Sequence, residues 1–149
     1  MALSANTKLQ RRNSHVKTTS SYAVKTGSVI YQDALVGITA TGLLVPLADS
    51  TTIRFVGIAS VAELGGNFPV TGSATVTTSV KVEADVEVLL PLATAVTVGN
   101  AINTNIYGVD DQTGTTATTL GPVIGTLEKF VAPNIGWVRL RGVRGTASS

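Results

Sequence analysis

The 149-residue chain is 44% apolar and 13% charged, with no cysteine and a formal net charge of +2. That balance excludes wholesale disorder, a disulfide framework, thiolate metal centres and thiol nucleophiles. Val, Ile and Thr supply 50 residues and Glu, Lys and Arg only 15, the alphabet of a β-protein of one-domain size.

Taken from the start, residues 1–25 are polar and basic. They carry Lys8, Arg11, Arg12, Lys17 and Lys25, no acid, and apolar residues only at intervals. Such a segment buries too little to order itself, so it is expected to be an extended N-terminal arm that orders only against another surface. No apolar secretory core follows Met1, no Asn-x-Ser/Thr acceptor occurs, and no run approaches the roughly 20 apolar residues of a membrane span. The sequence therefore predicts a soluble product made in the cytosol, with no membrane partner.

From Gly27 the texture changes to short Val/Ile/Thr runs separated by Gly, Pro, Asn and Asp, which predicts a single compact all-β barrel or sandwich over residues 26–144. Candidate strands are 28–32, 34–39, 42–47, 53–62, 67–71, 73–82, 84–90, 95–98, 101–107, 115–120, 122–130 and 135–143. Alternation is clearest from Val80 to Val88: Val80, Val82, Ala84, Val86 and Val88 face one way, Lys81, Glu83, Asp85 and Glu87 the other. The first set is expected to be core and the second a solvated or subunit-contact face. Ser60–Leu64 is the best candidate for a helical turn, and Asp110–Thr119 reads as a polar hairpin tip or loop after which Thr resumes the strand. The same alternation separates Trp137, Arg139 and Arg141 from Val138 and Leu140, with the core as the expected place of Trp137. Residues 145–149 form a flexible tail. Residues 26–128 hold all nine acids against Arg54 and Lys81, while Lys129, Arg139, Arg141 and Arg144 follow, so two basic ends flank an acidic body.

Catalytic constellations are missing. The only histidine, His15, lies in the arm, where the preorganisation of a Ser-His-Asp triad is not expected. Glu83, Asp85 and Glu87 could in principle hold a hard cation or form a glycosidase pair, but a solvated strand face accounts for them. No phosphate loop, dinucleotide fingerprint or HExxH pair occurs. No cofactor or metal is predicted and no enzymatic activity. The arm could neutralise phosphates, but it carries one aromatic, Tyr22, and an acidic body would repel a polyanion, so direct nucleic-acid binding is not expected. What remains is a mechanical role in assembly.

The order of several short motifs supports that role. Val24-Lys25-Thr26-Gly27-Ser28-Val29-Ile30-Tyr31 is followed by Val56-Gly57-Ile58-Ala59, Thr97-Val98-Gly99-Asn100-Ala101, Ile124-Gly125-Thr126-Leu127 and Trp137-Val138-Arg139-Leu140. In this order they resemble the capsid decoration, or cement, proteins of tailed bacteriophages. The resemblance implies a β-tulip-like or barrel fold, usually a homotrimer, on the outer surface of the icosahedral head, where it bridges major capsid proteins. It also implies that the arm lies along the capsid lattice. Leu3, Leu9 and Val16 are then expected as apolar anchors, with Lys8, Arg11, Arg12 and Lys17 pairing with acidic capsid surface. Removing residues 2–20 should leave a folded domain. Another virion component, such as a tail-tube subunit, a head-fibre base or an adhesin, is the alternative.

Overall fold

β-branched residues fill the runs that become strands, and the intervening Gly, Asp and Asn positions supply the turns. The computed structural model describes residues 9–12, 18–60, 69–97, 104–118 and 121–141, and among these there is no helix. The strands are β1 (Arg11–Arg12), β2 (Thr18–Ala23), β3 (Val29–Ile30), β4 (Leu35–Ile38), β5 (Leu44–Pro46), β6 (Arg54–Ser60), β7 (Val70–Thr71), β8 (Ser79–Ala84), β9 (Glu87–Pro91), β10 (Thr104–Gly108), β11 (Gly114–Thr115), β12 (Val123–Ala132) and β13 (Ile135–Leu140).

Two antiparallel sheets carry most of the fold. One runs β2-β8-β6-β4-β5 and the other β1-β9-β13-β12-β10-β11, with β3 and β7 as a short separate pair. The first sheet curls on itself: beyond β2, Val24 forms a parallel bridge with Leu44 of β5, and the Lys25 N–H donates to the Leu44 carbonyl at 3.0 Å. Its two edges are thereby joined into a small barrel. Val24, Ile30, Val36, Leu44, Val56, Val80 and Val82 fill it.

The second sheet packs on the outside of this barrel, and Leu35, Phe55 and Ile58 join Val88, Leu90, Ile106, Ile124, Leu127, Val138 and Leu140 between the layers. Neighbouring residues of β4 and β6 thus enter different cores, as period-two side-chain direction requires. Barrel and sandwich, alternatives on sequence grounds, coexist in one all-β molecule.

The run Val80–Val88 links them. β8 belongs to the barrel and β9 to the outer sheet, and the crossing is made at Asp85, whose φ is 59°. Val80 and Val82 therefore face the barrel interior, whereas Val86 and Val88 face the inter-sheet core. The predicted solvated face of Glu83, Asp85 and Glu87 is a correction, since all three are buried. Alternation fixes which residues share a side of a strand; it does not say whether that side is covered.

Gly57 shows why one glycine is indispensable. Its φ is +146°, and a Cβ there would collide with the carbonyl oxygen of Glu83 on β8. This lets β6 and β8 approach at the bulge where β4 changes register against β6.

Other boundaries moved. Residues 74–76 form bends, with the Ser73 hydroxyl accepting from the N–H groups of Thr75 and Val76, so the strand predicted from 73 begins only at Ser79 of β8. Residues 95–97 are not strand. The polar span around Asp110 is a hairpin tip, with β11 pairing antiparallel to β10 just beyond it, and Asp111 in the tip is buried. The helical turn expected at Ser60–Leu64 lies, after Ser60, outside the described residues.

Candidate interaction site

The largest correction concerns the arm. β2 is an edge strand of the barrel sheet, paired with β8 from Thr18↔Ala84 to Ala23↔Ser79, and Val24 is core. β1 is the edge of the outer sheet, with Arg11 opposite Val88 and Arg12 opposite Glu87. Residues 9–12 and 18–25 are thus built into the body of the chain, and the boundary drawn at residue 25 does not separate an arm from a domain. Main-chain pairing made this possible, because a sheet edge accepts a polar strand that could not bury a core of its own.

Register decides what Arg11 does. Val88 faces the inter-sheet core, so Arg11 opposite it is directed between the layers. There its guanidinium meets two buried carboxylates: Nη2 donates to Asp33 Oδ1 at 2.7 Å and Nε to Glu83 Oε1 at 3.2 Å. Nη1 adds bonds to Asp33 Oδ2 at 3.2 Å and to the Leu9 carbonyl at 3.3 Å. The Leu9 N–H donates to the same Asp33 oxygen at 2.8 Å.

Asp33 presents its carboxylate from a turn closed by the Ala34 N–H on the Tyr31 carbonyl, at a φ of 60° that Asp tolerates better than most residues. Burial would lower the Arg11 pKa, but the hydrogen bonds and charges of Asp33 and Glu83 outweigh it and hold it above its ordinary value. The guanidinium ties β1, the Asp33 turn and β8 together as an inter-sheet clasp.

Two of the expected docking residues make contacts within the chain. Arg11 pairs with Asp33 and Glu83 of its own chain while its side chain keeps 28% exposure. Leu9 is partly buried and packs against the inter-sheet core. The backbone of Arg12 lies in β1. Leu3, Lys8, Val16 and Lys17, with His15, lie outside the described residues.

Burial also redistributes charge. Asp33, Glu83, Asp85, Glu87 and Asp111 are all buried, leaving Asp49 exposed and Asp110 and Glu128 half-buried among the described acids. Lys25, Arg54, Lys129 and Arg141 are exposed, and Lys81 and Arg139 half-buried. Because most acids are buried, the described surface exposes more cations than carboxylates.

Trp137 is half-buried on the outer face of β13, opposite the side that carries Val138 and Leu140 into the core. This corrects the expected core position. In register, Trp137 stands between Leu89 and Lys129, and Arg139 between Glu87 and Thr126. Among the described residues no group of three or more His, Cys, Asp or Glu side chains is arranged to hold a metal ion.

No family model and no curated protein matches the chain. Its fold is shared with a chain of the solved structure "The capsid of Myoviridae Phage XM1", at a TM-score of 0.56 and 16% identity, over 94% of this chain and 91% of that one.

Proposed function

We propose that this protein is a non-enzymatic component of a tailed-phage head: a decoration subunit that binds the outer surface of the shell as a homotrimer and stabilises contacts between major capsid proteins. The observation that carries the reading is the fold likeness to a chain from a phage capsid over nearly the full length of both. The order of the short motifs from Val24 to Leu140 points the same way. A clip bound across a seam between capsomers stabilises the joined state by its binding free energy, and three linked copies raise the effective concentration of each contact.

The test is to add purified protein to expanded heads that lack it and to measure co-sedimentation, head resistance to heating, and the mass of the free protein. Saturable binding, heads that survive higher temperature and a mass of three copies are expected. Absence of binding, or rings and filaments formed by the isolated protein, would count against the reading and favour a tail component.

A further inference from the structure

We infer that the outer face of the sheet β1-β9-β13-β12-β10-β11 is a docking surface for an extended acidic protein segment, gripped by Lys129, Trp137, Arg139 and Arg141; this rests on the shell-binding reading above. β13 places Trp137 and Arg139 on that face, and the ladder continues past its end through the Arg141 N–H, which donates to the Ile124 carbonyl at 2.9 Å. Arg141 therefore stays on the same side as Arg139, with the two Cα atoms about 6.6–6.8 Å apart, the repeat of alternate side chains on a facing strand. Lys129 stands beside Trp137 in register.

The electrostatics choose the occupant. Glu87 shares this face but is only 2% exposed, and Glu128 is half-buried and accepts the Thr126 hydroxyl at 3.0 Å. An approaching partner meets mainly cations. Arg139 is half-buried, and the exposed part of its side chain adds a positive charge that an incoming carboxylate would meet. A second copy of the face is disfavoured because it would set like charges together. Half-buried Leu89 and Ile135, exposed Pro91 and Val131, 45% exposed, border the cations. Apolar contact at such a rim suits a peptide better than a polyphosphate, and stacking of successive bases would need more than the one Trp.

The experiment compares the wild type, K129E/R141E and a control, K25E/R54E, which changes the same charge at exposed sites off this face. Each is measured on heads lacking the protein, on immobilised poly-glutamate and on a 20-nucleotide single-stranded DNA, with melting curves as a folding control. K129E/R141E should melt like the wild type yet lose about tenfold or more in affinity for heads and poly-glutamate at low salt, with a flatter salt dependence, while K25E/R54E keeps both. Equal head binding by K129E/R141E and the wild type overturns the face and leaves the shell-binding reading standing. Heads that bind no protein, with poly-glutamate still discriminating the variants, overturn the shell-binding reading alone. Equal losses in both double variants, or tighter wild-type binding to the DNA than to poly-glutamate, overturn the inference.

Discussion

Replacing Arg11 by Met keeps the aliphatic stem and removes the guanidinium that Asp33 and Glu83 share. Both carboxylates are within 4% of full burial as side chains, whereas Arg11 keeps 28% exposure. Removing one partner of a buried pair costs about 3–5 kcal/mol because the remaining charge is stranded. Water reaching the exposed part of Arg11 discounts this, so a loss of about 2–3 kcal/mol is expected. For a chain of this size that lowers the melting temperature by roughly 4–12 °C. Urea unfolding of R11M, D33N and the double variant measures the coupling. Asn also tolerates the positive φ at position 33, so D33N tests charge with little backbone effect. The two losses should fall short of additive by about 1 kcal/mol or more. Additive losses, or an R11M midpoint equal to the wild type, would refute the clasp. Because the folded pKa of Arg11 is raised, its stabilisation is fully present below the unfolded value and is lost only as pH climbs through the folded one. The cation's own contribution therefore stays flat from neutral to moderately alkaline pH.

Gly57→Ala should cost about 3 kcal/mol or more, read from chemical denaturation, because the new Cβ meets the Glu83 carbonyl at a backbone angle that favours glycine; a loss below about 1 kcal/mol would show that β6 and β8 can part freely. Deleting residues 2–8 should preserve cooperative melting, whereas deleting 2–23 should abolish it by removing the clasp and a barrel strand; a sharp transition in the longer deletion contradicts the closed barrel. Leu35→Ala, at a fully buried inter-sheet position, should lower stability by about 3–4 kcal/mol, and a far smaller loss in denaturant titration would mean the two layers do not pack through it.

The all-β architecture was readable because Val, Ile and Thr cluster in most strands, and the strands from β3 to β13 overlap the expected runs, although Thr75-Val76-Thr77-Thr78 clusters without forming one. β2 escaped because Thr18-Thr19-Ser20-Ser21-Tyr22-Ala23 has little to bury: it is held by main-chain bonds to β8, which apolar periodicity does not register. Its Thr and Tyr content was the available signal. Glu83 and Asp33 were illegible as clasp residues because their cation lies 72 and 22 positions away and meets them only through the register of two sheets. Trp137 was assigned to the correct side of its strand, but which side faces the core depended on the layer packed against it.

The order in which the barrel's staves are made has a consequence for timing. β2 emerges before its partner β8, which ends at Ala84, and β1 must wait for β9, which ends at Pro91. Such distant pairing is slow to form and leaves strand edges open meanwhile. A nascent chain can neither seat Arg11 nor close its barrel until β8 and β9 have emerged. Copies cut short before β9 consequently lack the finished outer sheet.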